Sequence, residues 1–139
     1  MRYELSDPKS RKKAQEYFNK LMNAEYNIEL KKIYPPRTIK QNSLFHVYCA
    51  IFGNEFGYSP DEAKTLIKRE LGYVYEKNGQ KFLEHTSEMP KDKMARLIDR
   101  FRSFAMGLGC YLPTEDEVKN NYIEVMNQVD YAKTHPHIS

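Results

Sequence analysis

The central element of this chain is encoded by residues 44–56, which read LFHVYCAIFGNEF. The segment Thr38-Ile39-Lys40-Gln41 just before it has the Thr-x-x-Gln form of a capping box, in which two side chains satisfy the free backbone N–H groups of a helix start. This pattern predicts a helix from there to about Phe56. Because apolar side chains occupy nearly every side of that helix, we expect it at the centre of the core.

Four amphipathic helices are predicted around this central one. Each begins at a start signal, either an acid or hydroxyl side chain that can cap the first turn or a proline that suits it. The apolar residues of each recur at helical spacing, so each presents one stripe to the core. The predicted extents are about 8–22, 60–71, 90–108 and 115–129.

Strand signals are shorter than the helix signals. Residues 2–5 and 26–30 alternate apolar and polar side chains, and each is predicted as a strand. Residues 73–77 and 81–84 flank Asn78-Gly79, a dipeptide that favours the type I′ turn of a hairpin. The sequence therefore predicts a single compact α+β domain over residues 1–130, with about five helices, a small strand or hairpin sheet, and a flexible tail at 131–139.

Length and composition limit the class of protein. A chain of 139 residues is the size of one ordinary domain, and it has no apolar stretch long enough to span a membrane. Its first residues are too short and polar for a signal peptide, so we expect a cytoplasmic protein without membrane contact. Cys49 and Cys110 lack zinc-ligand spacing and are interpreted as buried free thiols. No motif for a cofactor, a metal or catalysis is found, which favours a protein that is not an enzyme.

The basic residues are unevenly distributed. Residues 1–113 carry 20 Lys and Arg against 14 Asp and Glu, whereas residues 114–139 carry 2 against 5. Nine basic residues and three acids lie between Lys9 and Lys40. Tyrosines are interleaved with cations there and again in the segment of Tyr73, Tyr75, Lys77 and Lys81, a mixture that proteins use to bind single-stranded nucleic acid. The same residues are also ordinary for strands and solvated surfaces, so composition alone leaves both interpretations open.

Two segments resemble a known family. Residues 37–45 read RTIKQNSLF, which is similar to the Arg-Ser/Thr-x-x-Gln-Asn-x-x-aromatic signature of the NinB/Orf family of phage recombination mediators. Residues 86–113 follow the family's order of Thr-Ser-x-Met, a helix, Phe-Ala, Gly and Leu-Pro. The chain departs from the family in having no tryptophan, with Phe45 at the aromatic position, and its last helix and tail match no family pattern.

The resemblance implies a NinB-like fold and a homodimer that prefers single-stranded DNA, contacts the host single-strand-binding protein and helps to load a recombinase. The apolar stripe from Val118 to Val129 is a candidate dimer seam. Alternative functions are a protein adaptor that does not bind DNA directly and a small metal-dependent nuclease. The candidate nucleic-acid-binding residues are Lys31, Lys32, Arg37, Lys40, Gln41, Asn42, Arg96 and Arg100.

Three of these candidates have competing structural interpretations. Gln41 can complete the capping box with Thr38, and Asn42 can hydrogen-bond a neighbouring loop. Arg37 precedes a predicted helix N-terminus, where backbone N–H groups favour anions, and is the stronger candidate for a phosphate contact. The cations between Lys91 and Arg102 can form either a solvated helix face or a phosphate path.

Overall fold

The computed structural model describes residues 2–33 and 39–134. This part of the chain contains six α-helices, one 3-10 turn and a two-stranded antiparallel sheet, which confirms the α+β class. The elements are α1 Pro8–Asn23, α2 Gln41–Phe56, α3 Pro60–Glu70, β1 Val74–Lys77, β2 Gln80–Leu83, the 3-10 turn Thr86–Glu88, α4 Lys91–Gly107, α5 Glu115–Asn120 and α6 Tyr122–Thr134. None of the helices in these two ranges is long and apolar enough to cross a membrane.

Helix α2 lies at the centre of the core, as its sequence predicts. It packs against α3, α4 and α6, so its apolar side chains are buried in several directions. The ring of Phe101 on α4 lies edge-on to three α2 rings, with centroid distances of 5.8 Å to Phe45, 6.0 Å to Tyr48 and 5.6 Å to Phe52. This aromatic cluster fixes α4 on α2, because edge-to-face contacts depend on ring orientation as well as on burial.

The start of α2 differs from the predicted capping box. Gln41 is the first residue of the helix, whereas a box with Thr38 would require it at the third position. Lys40 is the N-cap and makes no side-chain capping bond, and Thr38 lies outside the described residues. Instead, the Ile39 N–H donates to Glu115 Oε1 at 2.8 Å and Gln41 Nε2 donates to the Lys91 carbonyl at 3.2 Å. Bonds to distant elements therefore position this helix start, and the predicted box is wrong.

The other local start and turn signals are confirmed. Asp7 caps α1, and reciprocal capping boxes formed from Ser59 and Thr114 open α3 and α5. In the hairpin, Asn78 and Gly79 have φ angles of 52° and 77°, as a type I′ turn requires. These signals involve residues only a few positions apart, so they operate independently of the rest of the fold.

Two predicted strands are absent from the described residues. Residues 2–5 form no strand; Arg2 instead exchanges backbone hydrogen bonds with the Asn127 side chain on α6, at 3.0 Å and 2.9 Å, and forms an ion pair with Asp130. Residues 26–30 also have no regular structure, and Leu30 is 78% exposed. Alternation predicts a strand only where a neighbouring strand supplies hydrogen bonds, and in the described residues the hairpin strands pair with each other alone.

The final predicted helix is two helices. The chain bends at Asn121, which ends α5 by donating its side-chain amide to the Glu117 carbonyl at 3.1 Å. Helix α6 continues through Thr134, four residues into the segment predicted as a tail, and residues 135–139 lie outside the described part. Val118, Val125 and Val129 are buried in the chain's own core. The stripe therefore packs within the chain, and its prediction as a dimer seam is wrong.

Both cysteines are buried free thiols, as predicted. Burial raises the pKa of Cys49 to about 12 and also raises the pKa of Cys110. Because the thiolate is the reactive form, the Cys49 thiol stays protonated and unreactive near neutral pH.

Candidate nucleic-acid interface

Three of the four cations predicted around the turn before α2, Lys31, Lys32 and Lys40, are exposed. Lys31 and Lys32 are in the irregular segment before residue 34, and Lys31 Nζ lies 3.2 Å from Glu29 Oε1 with both side chains exposed. An exposed ion pair of this kind contributes little to stability, so a phosphate group can compete with it. Lys40 is exposed at the N-cap of α2. Arg37 lies outside the described residues.

Gln41 and Asn42 join the two segments that carry the family resemblance. Thr86 Oγ1 donates to Asn42 Oδ1 at 2.9 Å, across a separation of 44 residues, and Gln41 Nε2 donates to the carbonyl of Lys91. Thr86 is buried, so its hydroxyl needs this acceptor. Both side chains therefore make hydrogen bonds within the fold. For Asn42 this agrees with the interpretation that it bonds a neighbouring loop. For Gln41 the partner is the first residue of α4 rather than a capping box.

Three cations form a column on one side of α4. Lys93, Arg96 and Arg100 occupy helical positions i, i+3 and i+7, which share a face. Lys93 pairs with Glu84 at 2.7 Å, and Arg96 lies 3.6 Å from Asp92 with both side chains exposed. Arg102 faces elsewhere, because its Nε donates to the Leu112 carbonyl at 3.2 Å. Both α4 residues that are predicted to contact DNA, Arg96 and Arg100, belong to this column.

The hairpin meets the cation column at Tyr73. The guanidinium carbon of Arg100 lies 5.4 Å from the Tyr73 ring centroid, and Lys93 Nζ lies 5.9 Å from it, which is cation–π range. Alternate residues of a strand share a face, so Tyr75 and Lys77 continue from Tyr73 along the same side of the hairpin. Tyr73 itself is buried, so the exposed ring beside the cation column on this face is that of Tyr75, which lines a pocket together with Lys93.

A small pocket marks this junction. It has a volume of about 210 Å³ and lies between the hairpin and the start of α4. Tyr75 and Lys93 line it together with His85, and the acids Glu84 and Glu88 are also present. The pocket therefore combines an aromatic residue, a cation and carboxylates, and within it Lys93 is paired with Glu84 at 2.7 Å.

A larger groove lies between α2 and α6 and is different in character. Its volume is about 870 Å³, and its lining is mainly apolar, with Val47 and Val129 among its walls. Lys40 is the single lysine or arginine among the described residues that line it, and Asp61 is also present. This groove has too little positive charge to follow a phosphate backbone.

Sequence reasoning did not single out Phe82 at this surface, and it considered Lys93 only as one of the cations between Lys91 and Arg102. Phe82 could have been found, because a two-residue turn at Asn78-Gly79 fixes the register that pairs it with Tyr75. The contact of Lys93 with Tyr73 depends on how α4 packs beside the hairpin, so no local pattern signals it.

Among residues 2–33 and 39–134, no group of three or more His, Cys, Asp or Glu side chains is placed to hold a metal ion. No protein-family model, curated protein or solved structure matches this chain. The surface described above combines a column of cations with exposed aromatic rings. The resemblance of the motifs to the NinB/Orf family stays a prediction from the sequence.

Proposed function

We propose that this protein is a non-catalytic recombination mediator of the phage or prophage type. In this proposal it binds single-stranded DNA, contacts the host single-strand-binding protein and assists recombinase loading. A protein adaptor that touches only the single-strand-binding protein is the alternative. The two functions differ in whether this protein itself contacts the phosphates of the DNA.

The observation that carries the proposal is the cation column of α4 beside the aromatic hairpin. Proteins that bind single strands combine cations for the phosphates with ring faces for the unstacked bases. Arg96 is exposed and Arg100 is packed on Tyr73, so charge and rings are held at fixed positions relative to each other. The Gln41–Lys91 bond also joins the starts of α2 and α4, and Lys40 precedes Gln41 in the chain, at the edge of the groove between α2 and α6.

The hydrogen bonds between the two motif segments support the same proposal. The Asn42–Thr86 and Gln41–Lys91 bonds bring the start of α2 together with residues 86–91, so the two resembling segments are in contact.

Removing cations from the proposed path should weaken single-strand binding and its salt dependence together. We expect Arg96→Ala/Arg100→Ala, and separately Lys31→Ala/Arg37→Ala/Lys40→Ala, to lower affinity for an oligonucleotide. Each lost phosphate contact should shallow the slope of log K against log salt by about 0.7, because fewer counterions are released. Electrophoretic shift assays with matched single- and double-stranded oligonucleotides at several salt concentrations measure both quantities. Wild-type affinity and slope in both variants would contradict the path, and absence of DNA binding by the wild type would favour the adaptor.

Asn42→Ala is the matched control for this experiment. It removes the acceptor of the Thr86 hydroxyl, so we expect a loss of about 1–3 kcal/mol in the free energy of unfolding. The salt slope should stay at the wild-type value, because no cation is lost. A lower affinity of the folded variant at an unchanged slope would assign Asn42 to the DNA contact instead.

We also propose that the protein is a homodimer whose contact surface includes α1 and the segment after it. Helix α1 buries none of its residues, and Met22, Tyr26 and Leu30 are exposed apolar side chains. Monomers rarely leave large apolar patches open to water. Light scattering at micromolar concentration should give twice the chain mass of 16.5 kDa, and Leu30→Glu should halve it without loss of helical circular dichroism. A wild-type mass of one chain would rule the dimer out.

A further inference from the structure

The hairpin carries a pair of aromatic rings on its solvent side. Tyr75 and Phe82 are directly opposite each other in the strand register. Their ring centroids are 5.5 Å apart and the ring planes are inclined by 26°, so the rings are stacked. Their exposed fractions are 43% and 41%, although both are large apolar side chains. The pair therefore presents an aromatic surface to solvent.

Charge flanks this surface at both ends. Lys77 lies two residues beyond Tyr75 on the same strand face, opposite Gln80. At the other end the face reaches Tyr73, above which Lys93 and Arg100 lie. Because Lys93 is paired with Glu84 at 2.7 Å, the exposed Arg100 is the cation that this end presents. Cations thus lie before and after the rings along one hairpin face, as the phosphates before and after an unstacked nucleotide would require.

The stability of the hairpin accounts for only part of this arrangement. A cross-strand aromatic pair does stabilise a two-stranded sheet, which is marginal by itself. That role is satisfied by contact between the rings and leaves their outer surface unused. It also does not require cations at both ends of the pair.

We propose that Tyr75 and Phe82 form a base-stacking platform that holds an unpaired nucleotide base while the flanking cations contact its phosphates. The inference rests on the proposed single-strand binding and deepens it, because it names the group that distinguishes single strands from duplex. Bases in a duplex are already stacked on their neighbours, so only an unpaired base can lie on the rings. Stacking is tolerant of sequence, since every base has a ring face.

An oligothymidylate and an abasic oligonucleotide of the same length separate stacking from phosphate contact. Both carry the same phosphates, but the abasic strand has no ring to stack. We expect the wild-type protein to bind oligothymidylate roughly 5- to 150-fold more tightly than the abasic strand, from the usual strength of base–aromatic stacking. Equal binding of both strands would overturn the platform and leave DNA binding in place, whereas binding of neither strand would overturn both proposals.

Two variants assign that preference to the ring pair. Tyr75→Val/Phe82→Val keeps strong strand-forming residues but removes both rings, so the preference for oligothymidylate should disappear while the salt slope stays unchanged. The exchange variant Tyr75→Phe/Phe82→Tyr keeps both rings and should bind as the wild type does. Retention of the preference in the valine variant would place stacking elsewhere.

A fluorescence measurement tests the contact directly. The chain has no tryptophan, so Phe82→Trp introduces a single reporter at the platform. Oligothymidylate should quench its emission and the abasic strand should not. Tyr131→Trp on α6 is the control and should respond to neither strand. Equal quenching of both reporters, or none at residue 82, would contradict the platform.

Discussion

Replacing Phe101 by alanine is expected to lower the free energy of unfolding by about 3–5 kcal/mol, because the ring is fully buried and its removal leaves a cavity. The three edge-to-face contacts with Phe45, Tyr48 and Phe52 would be lost at the same time. Since domains are stable by only about 5–15 kcal/mol, the variant should melt at a much lower temperature or fail to accumulate as folded protein. Urea unfolding followed by circular dichroism measures the change.

Two variants on the same helix calibrate this result. Phe101→Leu keeps much of the buried volume and should lose less than the alanine variant. Met106→Ala removes a side chain that is 55% exposed and should change stability by less than about 0.5 kcal/mol. A Phe101→Ala protein that melts like the Met106→Ala protein would show that the aromatic cluster does not hold α4 on α2.

Gly53→Ala should destabilise the protein by about 1–3 kcal/mol, although alanine is ordinarily the better helix residue. A Cβ at residue 53 would lie 2.3 Å from the carbonyl oxygen of Tyr58, which is a backbone atom and cannot rotate away. The same turn is held by the Gly53 carbonyl, which accepts from Gly57 N at 2.8 Å and Tyr58 N at 2.9 Å. The close approach of the chain at the end of α2 therefore requires glycine.

Gly107 at the end of α4 is the matched comparison. A Cβ there meets nothing within 4 Å, so Gly107→Ala should be neutral or stabilising by up to about 1 kcal/mol. Thermal melts of the two variants should therefore shift in opposite directions or differ clearly in size. A Gly53→Ala protein as stable as the wild type would mean that the α2–α3 connection can shift with little loss of free energy of unfolding.

Some parts of the candidate interface can be predicted from the sequence, and others cannot. Charge distribution already indicates Arg96 and Arg100, and the interleaved tyrosines indicate the hairpin. Whether those two features lie together depends on the packing of α4 against Tyr73, which involves residues about 20 to 30 positions apart. For Asn42, the sequence allowed a DNA contact or a loop contact, and only the position of Thr86 showed the second.

What the sequence determined by itself about this protein is its local structure. The caps of α1, α3 and α5, the Asn78-Gly79 turn and the buried character of α2 all follow from residues within a few positions of each other or from composition along one helix. The tertiary structure decided the start of α2, the loss of strands at 2–5 and 26–30, and the burial of Val118, Val125 and Val129 within the chain. Each of these depends on a partner distant in sequence, because strand hydrogen bonds, helix-end contacts and apolar burial are completed only when that partner is in place.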